Sequence, residues 1–118
     1  MKKVVFIDGV RTPFLKSGTD YMDLMSYQLG QFAIKGLLDK TGIDVNEIDR
    51  VIYGNVISNV RTENVAREAA VTAGIPVKAP ANTVKQACIS ANQAMCNAVD
   101  SIQLGRADVI VSGGTECT

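Results

Sequence analysis

The chain has 118 residues, 47% hydrophobic and 20% charged, with 12 basic residues against 12 acidic ones, the composition of one compact folded domain rather than of a disordered tail. A net charge of zero, a pI near 6.2 and a mean hydropathy of +0.13 give no electrostatic grounds for binding nucleic acid or an anionic membrane surface. No apolar run approaches the roughly 20 residues of a membrane-spanning helix, and the 10 glycines and 3 prolines are too few for low-complexity or collagen-like sequence.

Met1-Lys2-Lys3 leads directly into residues 3–8, Lys-Val-Val-Phe-Ile-Asp, too abruptly for a signal or transit peptide. This run is apolar, rich in β-branched residues and closed by Asp8-Gly9, which predicts a buried strand over residues 4–7. From about Asp23 the residues Met25, Leu29, Phe32, Ala33 and Leu37 recur at spacings of three and four and Gly42 closes the run, a helix with one buried stripe and a glycine C-cap. Asp44 followed by Glu47 has the form of a capping box for a single turn, and residues 50–56 then read as a strand. Val65, Ala66, Ala69, Ala70 and Ala73 share one side of a second helix over residues 62–73, which Gly74-Ile-Pro76 stops. Residues 83–87 make a brief strand. Ala91, Ala94, Met95, Ala98, Val99 and Ile102 mark a third helix ended by Gly105, and residues 108–112 form a last strand turned off by Gly113-Gly114. The alternation implies an α/β domain, a parallel or mixed sheet covered by helices through right-handed crossovers. No linker or repeat divides residues 1–118, and an apolar strand so close to the end makes the chain read as a fragment of a larger sheet.

The chain contains no histidine, the commonest general base near neutral pH, so histidine-dependent chemistry must draw on residues outside it. The three cysteines, Cys88, Cys96 and Cys117, are odd in number and lack C-x-x-C spacing, which suggests neither a disulfide framework nor a metal site and fits a reducing compartment. Cys88 falls between a strand and a helix that begins near Ser90, where unpaired helix N–H groups stabilise a thiolate. Its neighbours Gln86, Ala87, Ser90, Ala91 and Asn92 are small or polar and leave room for a carbonyl substrate and for backbone N–H groups to meet an oxyanion. The other reading of Cys88 is a small buried hydrophobe. Cys96, among Ala94, Met95 and Ala98, reads as a packing residue, and Cys117 as a surface thiol or a core residue of a longer chain. Gly113-Gly114 fits no dinucleotide-binding fingerprint.

The segment Ala87-Cys-Ile-Ser-Ala-Asn-Gln-Ala-Met95 resembles the nucleophile motif of the thiolase family. Asp8-Gly-Val-Arg-Thr-Pro-Phe14 is similar to the family's opening, Asn64-Val-Ala-Arg-Glu-Ala-Ala70 to its second-helix motif, and Asp108-Val-Ile-Val-Ser-Gly-Gly114 with Glu116 to its strand and glycine turn. The resemblance implies a thiolase fold, two similar α/β domains stacking helices between two five-stranded sheets. This chain would supply an incomplete first domain, about a third of a subunit. It implies that Cys88 is the residue acylated and that its backbone N–H is an oxyanion donor. Two histidines and a second cysteine in Gly-His-Pro, Asn-Glu and Cys-x-Gly contexts complete such a site, and none of these motifs occurs here; Cys117 lacks the Cys-x-Gly context.

The implied activity is thiolytic cleavage of 3-ketoacyl-CoA by CoA to acetyl-CoA and a shortened acyl-CoA, or the reverse condensation, with CoA and acyl-CoA as substrates, no resident cofactor and no metal. The alternatives are a non-catalytic assembly fragment and a ketoacyl synthase. The resemblance further implies a homo-oligomer with the strand at residues 83–87 near the subunit contact. It also implies a hydratase/dehydrogenase subunit as a possible second partner, and the bacterial cytoplasm or the mitochondrial matrix as location.

Overall fold

The computed structural model describes residues 1–117. A first helix, α1 (Ser26–Thr41), is followed by one 3-10 turn (Val45–Glu47), strand β1 (Arg50–Gly54), helix α2 (Val65–Thr72), strand β2 (Ala81–Val84), helix α3 (Ser90–Gln103) and strand β3 (Ile110–Gly114). The strands form one sheet in the order β2-β1-β3, and both pairings are parallel, with Val51 opposite Ala81 and Val111, and Gly54 opposite Val84 and Gly114.

The central strand explains the layering. Val51 and Tyr53 point to one face, where they meet Ile34 and Leu38 of α1, Ala66, Ala69 and Ala70 of α2, and Val111. Ile52 points to the other and packs on Ala94 and Ala98 of α3, flanked by Val84 and Ile110. Alternation along a strand sends neighbouring residues to opposite faces, so a run with no polar residue between Val51 and Tyr53 requires helices on both sides. The connection from β1 to β2 runs through α2 on one face, and that from β2 to β3 through α3 on the other. Crossovers of one hand that travel in opposite directions must do this.

The ends of the elements follow local chemistry. Gly42 ends α1 at φ 66, a conformation that costs a glycine little. The Gln28 side chain accepts a hydrogen bond from Met25 N at 2.8 Å at the other end. Asp44 caps the 3-10 turn as expected, but by accepting from Asn46 N at 2.9 Å rather than through the box with Glu47 that the spacing suggests. Asn64 caps α2, accepting from Arg67 N at 3.3 Å, while its amide donates to Ala81 O at 3.0 Å and its carbonyl accepts from Thr83 Oγ1 at 2.7 Å. One cap residue therefore fastens α2 to β2.

Four expectations are corrected. The run over residues 4–7 is not a strand: it is extended, unpaired chain in which Val5, Phe6 and Ile7 are exposed. It is held by Lys2 Nζ on Asp108 at 2.8 Å and by Lys40 Nζ on Asp8 at 2.9 Å, the latter keeping the Asp8 carboxyl below the ordinary range. A strand needs a pairing partner as well as apolar side chains, and among the described residues the segment pairs with none of the three strands. The buried stripe of α1 is Leu29, Gly30, Ile34 and Leu38, with Phe32 turned outward; α1 meets α2 at Gly30, where an added Cβ would lie 3.1 Å from Ala69 Cβ, and a missing side chain is invisible to hydrophobic periodicity. Gly113 and Gly114 are not a turn but the last residues of β3, with Gly113 set under the Tyr53 ring. The strand expected at residues 83–87 is Ala81–Val84, because the chain leaves the sheet early to make the turn described below.

Asp49 joins the two strand starts. Its carboxylate accepts from Asp108 N at 2.8 Å and from Val109 N at 3.0 Å, and these two bonds, with Lys2 and Lys78 nearby, lower its pKa below 3.8. The folded value lies below the unfolded one, so this contribution to stability is intact above about pH 4 and fades as the pH falls through the folded value. Urea midpoints measured from neutral to acid pH are expected to show a shallower acid decline in Asp49→Asn than in the wild type. Identical slopes would remove Asp49 from the acid response.

Candidate active site

Between β2 and α3 the backbone turns sharply. Ala87 adopts φ 48, the one positive φ outside glycine among the described residues. Ile89 N donates to Gln86 O and Ser90 N to Ala87 O, both at 3.2 Å. The Ser90 hydroxyl donates to Ala87 O at 2.6 Å and accepts from Gln86 N at 2.8 Å. Cys88 rides on this turn one residue before Ile89, the N-cap of α3, and is exposed. The thiol is therefore not the small buried hydrophobe of the alternative reading.

The seat of the turn is made by two glycines paired across the sheet. A Cβ on Gly54 would stand 2.4 Å from the Ser90 carbonyl carbon and 2.5 Å from Ala91 N, and one on Gly114 would stand 2.8 Å from Ala91 Cβ. The first turn of α3 thus rests on the carboxyl ends of β1 and β3. Here lies a cleft of about 360 Å³ lined by Gly54, Asn55, Cys88, Ser90, Gly114 and Glu116, among others. In open parallel sheets the crevice beyond the strands' carboxyl ends, where connections leave to opposite faces, is where ligands are expected.

The cleft floor is held from both sides. Glu116 accepts from Val56 N at 2.8 Å through Oε2 and from Ile57 N at 3.1 Å through Oε1. Lys85 Nζ donates to Asn55 O at 3.2 Å and Val56 O at 3.1 Å. Buried Asn55 donates through Nδ2 to Thr115 O at 2.9 Å. Sequence reasoning gives no site role to Asn55, Lys85 or Gly54, marks Ser90 only as the helix start and a small neighbour of Cys88, and places Glu116 only in the strand-and-turn resemblance; the available signals are glycine at a strand end and serine at a helix start.

The other cysteines lie elsewhere. Cys96 is exposed, against the expected packing role, because α3 turns Ala94 and Ala98 to the sheet and a residue two positions from Ala94 falls on the far side. Cys117 is half-buried with its Sγ 3.3 Å from Leu24 O, and lines an adjoining groove of about 880 Å³ between the N-terminal segment, α1 and β3, which shares Gly114, Thr115 and Glu116 with the cleft. That groove is the larger, but Cys88 is not part of it.

The fold and cleft define an α/β domain that presents an exposed cysteine at a helix start. Residues 4–117 match the family described as thiolase, N-terminal domain, and the chain belongs to the thiolase family. It is 54% identical to the mitochondrial trifunctional enzyme subunit beta of Homo sapiens over 98% of its own length and 24% of that protein's. It is 35% identical to the 3-ketoacyl-CoA thiolase of Aliivibrio fischeri over 97% of its length and 26% of the relative's. The crystal structure of the Bacillus anthracis acetyl-CoA acetyltransferase superposes with a TM-score of 0.86 at 32% identity, covering 90% of this chain and 27% of that one. The chain therefore spans about a quarter of the curated relatives it matches, less than the third expected from sequence.

Proposed function

We propose that this chain carries the acyl-accepting cysteine of a 3-ketoacyl-CoA thiolase. The observation behind this reading is the exposed Cys88 in the cleft, on a strained turn at the start of α3. The Cys88 sulfur attacks the ketone carbonyl of a 3-ketoacyl-CoA. The bond between the keto carbon and C2 breaks, its electron pair leaves on C2 and takes a proton, and acetyl-CoA departs while the acyl group stays on sulfur. CoA thiol then attacks the thioester, releasing the shortened acyl-CoA and returning the proton to Cys88. The N–H of Cys88 is the candidate oxyanion donor. CoA and acyl-CoA enter as substrates, and the reading calls for no resident cofactor. The proton donor and acceptor at C2 lie outside a chain with no histidine. We therefore expect this chain alone to accept a single acyl group without multiple turnover. Incubation with acetyl-CoA, followed by intact-mass and peptide analysis, tests this. One acetyl group on Cys88 with release of free CoA supports the reading, and a chain that stays unmodified while Cys88 remains alkylable favours a non-catalytic assembly role instead.

We further propose a homo-oligomer joined through β2. That strand forms one end of the sheet, and a strand with an unpaired side is a template for another copy. Light scattering is expected to give a mass above that of one chain; a monodisperse monomer at about 100 μM would overturn it. A hydratase/dehydrogenase subunit is the proposed heterologous partner, by likeness to the trifunctional enzyme, and a mitochondrial matrix or bacterial cytoplasm the proposed setting.

A further inference from the structure

We propose that Ser90 is a positioning residue for Cys88, a role that rests on the reading of Cys88 as the acyl acceptor. The Cys88 side chain is exposed, so its place over the cleft depends on the backbone of the turn. That backbone is strained at Ala87, whose φ of 48 lies in a region that side-chain-bearing residues rarely adopt, and left to itself it would relax to negative φ and swing Cys88 away. The Ser90 hydroxyl grips both sides of the strained residue, donating to Ala87 O at 2.6 Å and accepting from Gln86 N at 2.8 Å. It is 3% exposed, so water does not compete for these bonds. Ser90 is also a fixed point: its own backbone presses on β1 at Gly54, where no Cβ fits. The serine thus transmits the position of the sheet to the cysteine. Such strain persists only where the surroundings over-determine it, which is the arrangement expected at a site whose geometry matters.

The test compares wild type, Ser90→Ala, Ala87→Gly and the double variant. For each, acetylation of Cys88 by acetyl-CoA and alkylation of Cys88 by iodoacetamide are timed, with Cys96, exposed and outside the cleft lining, as internal reference. Ser90→Ala is expected to slow both reactions at Cys88 by about tenfold while Cys96 keeps its rate. Ala87→Gly in that background removes the strain the hydroxyl was holding, and is expected to restore most of the lost rate. A merely structural serine would not respond to relief of strain at Ala87. Wild-type rates at Cys88 in Ser90→Ala, or a double variant as slow as the single one, overturns the proposal. Should Ser90→Ala fail to fold, the double variant decides: folded and reactive at Cys88 supports it, unfolded overturns it. If wild-type Cys88 is alkylated but never acetylated, the acyl-acceptor reading fails separately, and the alkylation ratio of Cys88 to Cys96 still decides the role of Ser90.

Discussion

A Gly54→Ala variant is expected to lose about 3 kcal/mol of stability, the upper part of the range for overpacking, and with it the ordered Cys88 turn. The new Cβ would meet the Ser90 carbonyl carbon at 2.4 Å, Ala91 N at 2.5 Å and Ser90 O at 2.7 Å. All three atoms are backbone, so no side chain can swing aside. Either α3 lifts off the sheet and opens the contact of Ala94 and Ala98 with Ile52, or β1 shifts in the middle of a three-stranded sheet. Against a total of about 5–15 kcal/mol for a domain, such a loss is large. Gly36→Ala is the control. Gly36 lies within α1, has nothing within 4 Å of its would-be Cβ, and alanine there is expected to add up to about 1 kcal/mol of stability. Urea unfolding of both variants checks the pair; equal midpoints would mean that α3 does not rest on Gly54.

The second large effect is at Cys88. Cys88→Ser is expected to lower acetyl transfer from acetyl-CoA by at least about 10³, or about 4 kcal/mol in the barrier. A thiol is a far better nucleophile than a hydroxyl, and a serine hydroxyl needs an adjacent base to attack a thioester, which a chain with no histidine does not offer in that form. Cys96→Ser is expected to leave the transfer unchanged, since Cys96 is outside the cleft lining. Mass spectrometry of the three proteins after one incubation suffices, and acetylation persisting in Cys88→Ser would move the acceptor elsewhere.

The features legible in the sequence are those that a few neighbouring residues determine alone. Gly42 and Gly105 mark helix ends because the left-handed conformation selects glycine, and they adopt φ 66 and 75. The apolar core of β1 and the alanines of α2 and α3 announce burial by their spacing. The start of α3 near Ser90, and with it the place of Cys88, was legible from a change of periodicity. What was not legible depends on partners distant in sequence. Residues 4–7 carry the side chains of a strand, yet pairing is a property of two segments. The roles of Gly54 and Gly114 belong to the contact between a helix and two strand ends that meet only after folding. The grips of Glu116 on the N–H groups of residues 56 and 57 and of Lys85 on the carbonyls of residues 55 and 56 are bonds to backbone, which every sequence offers equally. Cys96 was misread because Ala94, Met95 and Ala98 frame it in sequence while the helix turns it away from them.

The strand order has a consequence for synthesis. β1 sits between β2 and β3, and of these three strands the one that completes its second side is made last. A chain emerging from the ribosome can close β1, α2 and β2 early, because their contacts are near in sequence and the entropy of closing such loops is small. The cysteine is translated soon after, yet half of the platform beneath its helix is still inside the ribosome. Until Gly114 emerges, the nascent chain displays a solvent-facing thiol without the surface that aligns it. The order of translation thus delays the seating of the Cys88 turn until the sheet that supports it is in place.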